Sequence, residues 1–336
     1  MVRLSDVAEK AGVSAATVSR VVRGEGKVGD KCRAHVKQVI AEMGYRPNIN
    51  ARALASKKNE IIGVITPNVT QAFYGALVTG AENAAQQVNY RVMLNNSHNQ
   101  IDTELDAISS FRENGSQNIV YHSNVASNEQ LINLAKEIQG LVVLNRYIPE
   151  IAHRCVWLDN TAGGRLSVKH LIDKGHRKFV FLASNQDLQD PVDRLKGAKG
   201  ALLEAGIPWL EENVGYIMPS IDNGMKGISQ LLERKCEFTA VVAFNDSLAI
   251  GAMNRLQDLG VKIPEDVSVI GFDNTDICKA CRPQLTTTHY PIAEMAKYAT
   301  ELSLKLTTTD EIDSTKTHLY LPHVYERDSV ATRSAC

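Results

Sequence analysis

Two short helices are predicted by the segment Leu4-Ser-Asp-Val-Ala-Glu-Lys-Ala-Gly-Val-Ser14, which continues as Ala15-Ala-Thr-Val-Ser-Arg20. Apolar residues at positions 4, 7, 8 and 11 follow the i, i+3, i+4, i+7 spacing of one helix face. Gly12 can end this helix in the left-handed conformation, and Ser14 can cap the next helix. The pair forms a helix-turn-helix, whose second helix suits the major groove of DNA. The alternative is an ordinary helical hairpin; the N-terminal position and the exposed Ser/Arg face argue against it.

The next segments extend this N-terminal region. In the second helix Val18 and Val21 are expected to face inward. A third helix is predicted from Asp30 to Met43, and Gly44-Tyr-Arg-Pro-Asn48 interrupts the helical pattern after it. The short run from Asn50 to Ser56 contains good helix formers, but isolated helices below about 12–15 residues are marginal in water. We expect this run to fold only when a partner such as DNA holds it.

Several motifs in this region resemble the DNA-binding head and hinge of the LacI/GalR repressors. They are Val7-Ala8, Ala11-Gly-Val-Ser14, Thr17-Val-Ser-Arg20, Gly44-Tyr-Arg-Pro-Asn48 and Ala51-Arg-Ala-Leu-Ala55. One departure is the start of the third helix, Val28-Gly-Asp-Lys-Cys-Arg33, where the family has a serine cap. Capping by glycine is expected to be weaker by a few tenths of a kcal/mol. The resemblance implies a homodimer that binds palindromic double-stranded operator DNA.

The resemblance also assigns the DNA contacts. Arg20, with Ala15 and Ala16, is expected to determine base choice, and short alanines offer only apolar contact, for example to a thymine methyl group. Phosphate positioning is expected from Thr17, Ser19 and the hinge residue Asn50. Two further hinge residues, Ala51 and Leu54, complete the expected DNA interface. Leu54 matches a leucine that the family wedges into the minor groove, where apolar wedges kink the duplex.

Charge and composition agree with a nucleic-acid binder. Residues 1–58 hold 12 Lys/Arg against 5 Asp/Glu, a balance of +7, which leaves −8 for the rest of the 336-residue chain. A basic head on an acidic body is typical of proteins that bind nucleic acid through the head alone. No signal-peptide pattern and no long apolar segment are present, so we expect a cytoplasmic protein without membrane contact, associated with the nucleoid when bound to DNA.

The six cysteines predict neither a metal site nor a disulfide framework. Only Cys278 and Cys281 form a CxxC pair, and no second pair or nearby histidine pair completes a zinc set. By resemblance the segment around Cys278 to Arg282 belongs to the dimer interface. No cofactor is expected. An enzyme is not expected either, because G-x-S-x-G and Walker A motifs are absent, and the G-x-G-x-x-G match at Gly24 to Gly29 follows a predicted helix and not a strand. His170, His176 and His289 are isolated in the sequence and are interpreted as structural.

From residue 60 onward, apolar runs alternate with helical segments. Examples are the predicted buried strands Ile61–Ile65, Arg91–Asn95 and Val267–Gly271, and the predicted helices Tyr74–Val88 and Arg194–Glu204. This alternation predicts an α/β fold with parallel sheets. It also resembles the two-lobed periplasmic-binding-protein fold of the same family. We therefore expect a helix-turn-helix domain at 1–46, a hinge helix at 47–58 and an effector-binding and dimerisation domain at 59–336. Its lobes are expected at about 60–159 with 291–318, and at 160–289 with 319–330.

Polar residues follow most of the predicted strands, where ligands bind in open α/β sheets. Sugar hydroxyls are held by carboxylates, amides and guanidinium groups beside an apolar face. By resemblance the effector-binding residues are Phe73, Tyr74, Asn145, Arg194, Asn245 and Asp273, with Arg146 and Asp159 as second-rank candidates. Any single Asn or Asp at a strand end can instead be a turn or cap residue.

The function implied is repression of a sugar-utilisation operon, with operator affinity controlled by galactose or a related sugar. The alternatives within the family are control of β-glucoside or other sugar or nucleoside genes, and a corepressor in place of an inducer. A sugar-transport binding protein would share the two lobes, but it would carry a signal peptide and lack the basic head. An architectural DNA protein would not carry two lobes with a polar cleft.

Overall fold

The computed structural model describes residues 2–24, 26–45, 60–309, 313 and 316–333. The chain divides into two compact units, Met1–Asn59 and Glu60–Cys336. The predicted hinge helix at 47–58, with the expected DNA contacts Asn50, Ala51 and Leu54, lies outside the described residues.

The described part of the first unit contains three helices, α1 (Leu4–Ala11), α2 (Ala15–Arg23) and α3 (Asp30–Met43), and α3 has the bounds expected from the sequence. Gly12 ends α1 at φ +64°, and the Ser14 hydroxyl accepts the Thr17 backbone N–H at 3.1 Å, which caps α2. Gly29 precedes α3 without a side-chain cap, as the weak capping motif predicts. The small core contains seven buried apolar residues: Val7, Ala8, Ala11, Val18, Val21, Val36 and Val39.

The second unit is built from alternating strands and helices in two successive sets. The first set is β1 (Ile61–Thr66), α4 (Ala72–Gln87), β2 (Arg91–Asn96), α5 (Ile101–Glu113), β3 (Asn118–His122), α6 (Asn128–Glu137), β4 (Gly140–Leu144) and β5 (Cys155–Leu158). The second set is α7 (Asn160–Asp173), β6 (Phe179–Ser184), α8 (Gln189–Glu204), β7 (Val214–Ile217), α9 (Ile221–Glu233), β8 (Ala240–Ala243), α10 (Asp246–Asp258), β9 (Ser268–Asp273), α11 (Ile277–Ala280) and β10 (Thr286–His289). The chain then returns through α12 (Ile292–Thr308), β11 (His318–Tyr320) and β12 (His323–Tyr325).

These strands form two six-stranded sheets, one in each lobe. The order is β11-β5-β4-β3-β1-β2 in the first lobe and β12-β10-β9-β8-β6-β7 in the second. All neighbouring strands pair in parallel except β12, which is antiparallel to β10. The central strands β3 and β4 are buried along their whole length, as expected for parallel strands covered by helices on both faces. The predicted α/β class with two parallel-sheet lobes is confirmed.

Two details of the predicted organisation are wrong. The run Arg91–Asn95 was expected to be a buried strand, but β2 lies at the edge of the first sheet and its residues are exposed or half-buried. The predicted second lobe included 319–330, yet Leu319 and Tyr320 pair with Trp157 and Leu158 of the first sheet. The chain therefore crosses to the second lobe after Tyr320, because His318–Tyr320 completes the first sheet before β12 joins the second.

Candidate functional site

The second helix of the first unit exposes the residues that were expected to contact DNA. Ala15, Ala16 and Arg20 are exposed, whereas Thr17 and Ser19 are half-buried. The Thr17 hydroxyl lies 2.9 Å from the Ser14 hydroxyl, so it supports the helix cap and orients the N-terminus of α2. The N-terminal residues of a recognition helix contact base edges. Ala15 and Ala16 are exposed at the N-terminus of α2, so α2 has the exposure expected of such a helix.

The Arg20 side chain is held alongside the loop after α2. A Cβ atom at Gly26 would lie 3.2 Å from Arg20 Cδ, and Gly26 adopts φ +75°. A larger residue at position 26 would therefore be strained and would crowd the Arg20 stem.

The second candidate site lies between the two lobes and is organised by Arg194 of α8. Its Nε donates to Asn160 Oδ1 at 2.8 Å and its Nη1 donates to the Phe244 carbonyl at 2.7 Å. The guanidinium carbon lies 3.6 Å from the centre of the Phe272 ring, a cation–π distance. Arg194 is only 7% exposed, so its charge requires nearby carboxylates.

Two carboxylates supply that negative charge at longer range. Asp273 Oδ1 lies 3.7 Å from Arg194 Nη1, and Asp190 Oδ2 lies 3.9 Å from Arg194 Nη2. Burial raises the pKa of Asp190, and it raises the pKa of Asp273 well above its usual value, although Arg194 opposes both shifts. Asp273 also adopts φ +106°, an uncommon conformation for a residue with a side chain. The site thus holds two desolvated carboxylates around one guanidinium group.

Asp190 connects the two lobes. Its Oδ2 accepts a hydrogen bond from Asn145 Nδ2 of the first lobe at 2.9 Å, and its Oδ1 accepts from Asn160 Nδ2 of the second lobe at 3.2 Å. Tyr290, at the crossover from β10 to α12, donates its hydroxyl to Asn145 Oδ1. Both polar ends of the Asn145 amide are therefore engaged. A ligand that reaches this point meets the second N–H of Asn145 Nδ2 and the remaining lone pairs of the Asp190 carboxyl group.

A cavity of about 600 Å³ opens directly above this contact and is lined by residues of both lobes. Three of the expected effector residues line it: Asn145, Arg146 and Asp159. The remaining lining residues are Ser123, Asn124, Ala126, Ser127, Asn128, Tyr147, Trp157, Leu158, Asn160, Thr161, Leu188, Gln189, Asp190 and Asp193. Amides and carboxylates predominate among these polar side chains, so the cavity offers mainly hydrogen-bond acceptors and amide donors.

Arg194 and Asp273 lie behind Asp190 and are absent from the cavity lining. Phe73 and Tyr74 also lie outside the lining, in an aromatic cluster with His122 and Tyr290. Burial raises the pKa of Tyr74 to about 12, so its hydroxyl stays protonated at neutral pH. These residues support the floor of the cleft in this structure.

Two of the expected residues act as helix caps. Asn245 Oδ1 accepts the Leu248 backbone N–H at 3.0 Å at the start of α10, and Asp159 Oδ1 accepts the Ala162 backbone N–H at 2.8 Å at the start of α7. Asn245 does not line the cavity, whereas Asp159 does. The cap role considered for single strand-end residues is therefore present at both positions.

Asp190 and Tyr290 were not anticipated from the sequence, and Asn160 was expected only as one of the polar residues that follow the strands. For Asp190 a signal existed, because it lies four residues before Arg194 and so on the same helix face. The predicted helix begins only at Arg194 and so excludes Asp190, whereas α8 begins at Gln189. Tyr290 and Asn145 are 145 positions apart in the sequence, and no local pattern indicates their contact.

The remaining expectations concern membranes and the CxxC pair. None of the helices in the described residues is long and apolar enough to cross a membrane. Cys278 is buried and Cys281 is half-buried. Burial raises the pKa of the Cys278 thiol. The thiol is therefore protonated and unreactive at neutral pH.

Comparison with known proteins places both units in one family. Residues 3–48 match the family model described as bacterial regulatory proteins, lacI family, and residues 168–330 match a periplasmic binding protein-like domain. The chain is similar to the HTH-type transcriptional regulator GalS of Salmonella typhimurium, with 40% identity over 99% of this chain and 98% of that protein. It is 36% identical to the HTH-type transcriptional regulator GalR of Escherichia coli, over 99% of this chain and 97% of that protein.

Solved structures with a similar fold agree with this family assignment. The crystal structure of the Lac repressor bound to ONPG in the repressed state has a TM-score of 0.86 and 25% identity, over 98% of this chain and 99% of that one. The Escherichia coli transcriptional repressor ascG has a TM-score of 0.73 and 28% identity over 81% of this chain and 99% of that one. The exposed recognition helix, the two lobes and these full-length relatives show that the chain belongs to the lacI family of DNA-binding transcriptional regulators.

Proposed function

We propose that this chain represses a sugar-utilisation operon and that galactose or a closely related sugar, bound between the lobes, controls its operator affinity. The observation that carries the proposal is the polar cluster of Asn145, Asn160 and Asp190 at the floor of the interlobe cavity, which Arg194 supports from behind. The similarity to regulators named GalS and GalR supports galactose as the first candidate.

The chemistry of the cluster favours a neutral ligand rich in hydroxyl groups. Carboxylate oxygens accept hydrogen bonds, and the cavity is lined by Asp159, Asp190 and Asp193. Sugar hydroxyls donate to such groups, whereas three carboxyl groups against the one guanidinium group of Arg146 disfavour an anionic ligand such as a sugar phosphate. Because Asp190 and Asn145 belong to different lobes, a ligand between them has different contacts in the open and closed arrangements. That difference is what allows a ligand to shift a conformational equilibrium.

The DNA-binding part of the proposal rests on the exposed face of α2. One recognition helix contacts only one half-site, so a homodimer on a palindromic operator is required. Arg20, Ala15 and Ala16 select bases, while Thr17, Ser19 and the hinge residues contribute phosphate and minor-groove contacts. The protein works in the cytoplasm, where operator DNA and sugar meet. Catalysis has no part in this function.

Two alternatives remain open within the same family. The effector can be a β-glucoside or another sugar or nucleoside, and it can act as a corepressor that tightens DNA binding. The polar cluster suits either direction of control, because the direction depends on which arrangement of the lobes the ligand favours.

A thermal-shift screen of the full-length protein against neutral monosaccharides tests the effector. A ligand that binds only the folded state stabilises it by RT ln(1 + [L]/Kd), so the true sugar raises the melting temperature in a concentration-dependent way. The Asp190→Ala variant should lose this response. Asp173→Ala, which removes an exposed carboxylate paired with Lys169, is the matched control and should keep it.

The sugar that binds is then added to an operator-binding assay. A change in operator affinity by at least tenfold in the wild type, and none in Asp190→Ala, is the expected result. If no sugar or nucleoside shifts the melting temperature, or if Asp190→Ala responds like the wild type, the proposed function of the cleft is wrong.

A further inference from the structure

One wall of the interlobe cavity differs from the polar floor. Tyr147 and Trp157 line it together, with ring centres 4.9 Å apart and planes tilted by 36°. Tyr147 is 44% exposed, although it is a large aromatic residue. Trp157 is half-buried and donates its indole N–H to Thr317 Oγ1 at 3.2 Å, which fixes its ring. The pair is therefore an ordered aromatic surface that faces the cavity.

This surface is close in sequence to the floor of the site. Tyr147 follows Asn145 in the same loop after β4, and Trp157 precedes Asp159 and Asn160 at the end of β5. A ligand held by Asn145 and Asp190 thus has the aromatic pair beside it rather than in a separate pocket. Both parts belong to one continuous cavity.

The size of the cavity exceeds the needs of one sugar ring. Its volume of about 600 Å³ falls within the range of roughly 300–1,000 Å³ that holds drug-sized ligands. A single hexose is much smaller, so it would leave the aromatic wall exposed to water. Aromatic faces are covered favourably by another ring or by the apolar C–H face of a sugar.

We propose that the Tyr147–Trp157 wall is a second subsite, and that the effector is a glycoside whose aryl group or second sugar ring packs against it. This rests on the proposed function, in which the floor holds a sugar. The lining contains the carboxyl groups of Asp159, Asp190 and Asp193 against the one guanidinium group of Arg146, so it favours an uncharged or cationic substituent. The free monosaccharide is then a weaker ligand, because it fills only the floor.

Isothermal titration calorimetry of the full-length protein tests the subsite with five probes: galactose, methyl β-galactoside, phenyl β-galactoside, methyl β-glucoside and phenyl β-glucoside. In the wild type, the phenyl compound of the preferred sugar should bind about tenfold tighter than its methyl counterpart. Tyr147→Ala and Trp157→Leu should abolish this ratio and leave the methyl glycoside affinity within about twofold. Tyr325→Ala removes a similarly exposed tyrosine outside the cavity and should preserve the ratio.

The outcomes separate the two proposals. Equal affinities of methyl and phenyl glycosides, or an unchanged ratio in both wall variants, would overturn the second subsite while the sugar at the floor stands. If only the glucosides bind, and if the preference for phenyl over methyl glucoside depends on Tyr147, the subsite is supported and galactose is overturned as the effector. No binding of any of the five probes would overturn both.

Discussion

At the scale of single residues, Arg194 has a structural role in addition to its proposed place beside the effector. Its side chain is buried, donates to Asn160 and Phe244, and separates the carboxylates of Asp190 and Asp273. Removing the cation leaves those carboxylates buried without a counter-charge, which is far costlier than losing a surface pair. The cleft is therefore sensitive to this residue even without ligand.

We expect Arg194→Ala to lower the free energy of unfolding of the larger unit by about 2–4 kcal/mol and to abolish the sugar response. Urea unfolding measures the first effect and the thermal-shift assay the second. Arg165→Ala is the control, because Arg165 pairs with Glu204 on the exposed side of the same helix pair. Loss of this exposed pair should change the free energy of unfolding far less. Equal destabilisation by the two variants would show that the buried pair has no special importance.

His122 predicts a pH dependence of stability. The residue is buried, and among the described residues neither of its ring nitrogens has a hydrogen-bond partner. Burial lowers its pKa to about 4, so it is neutral in the folded protein at pH 5. In the unfolded chain a histidine has a pKa of about 6.5 and takes up a proton as the pH falls. Protonation then favours the unfolded state, so stability is lost between about pH 6.5 and pH 4.

The measurement compares the wild type with His122→Leu at pH 7.5 and pH 5. The wild type should lose about 2 kcal/mol more than the variant over this interval. His98→Gln, which changes an exposed histidine of the same lobe, should retain the full pH dependence of the wild type. The assignment fails if the wild type and His122→Leu lose stability in parallel.

At the scale of elements, the helices beside each sheet pack in pairs at glycine contacts. A Cβ atom at Gly80 of α4 would lie 2.0 Å from the Ala293 carbonyl oxygen of α12, and one at Gly164 of α7 would lie 2.0 Å from the Arg194 carbonyl oxygen of α8. No side chain fits at these distances without moving a helix. The second contact lies at Arg194, so the packing of α7 on α8 also positions the cleft.

Two glycines three residues apart on α8 provide a matched test of this packing. A Cβ at Gly197 would lie 1.9 Å from the Thr161 carbonyl oxygen, whereas a Cβ at Gly200 would have its nearest neighbour, Arg165 Nη1, at 4.0 Å. Gly197→Ala should destabilise the unit by about 1–3 kcal/mol or more. Gly200→Ala should stabilise it by about 0.5–1 kcal/mol, because alanine favours the helix interior. Similar unfolding midpoints for both variants would contradict a close α7–α8 contact.

The elements could be predicted from sequence more reliably than their edges and contacts. Periodicity identified α1 to α3 and the buried strands, because each pattern is local. It could not show that β2 lies at a sheet edge, since edge position depends on which strands pair. Because the predicted helix begins at Arg194 and not at Gln189, the sequence does not place Asp190 on the same helix as Arg194. The contact of Asp190 with Asn145 joins two lobes, and no local property of either residue indicates it.

At the scale of the whole molecule, the chain separates DNA binding from ligand binding in sequence. The basic first 58 residues carry the recognition helix, and the acidic remainder carries the cleft. Variants in the two regions should therefore have different consequences. Leu54 gives the sharpest test of this separation; it lies outside the described residues, and its expected role rests on the family resemblance.

Leu54→Ala should weaken operator binding strongly while leaving sugar affinity and the melting temperature of the larger unit unchanged. The physical reason is that an apolar wedge in the minor groove stabilises a kinked operator, and alanine is too short to hold the base step open. Binding to random duplex should fall much less, because it depends on phosphate charge and not on the kink. Operator and random-duplex affinities of the wild type and Leu54→Ala are measured at one fixed salt concentration. Asp190→Ala is measured in the same assays and should show the opposite pattern: normal operator affinity and no sugar response. Equal losses on both DNAs would identify Leu54 as a general affinity residue, and a lower melting temperature would identify it as a packing residue.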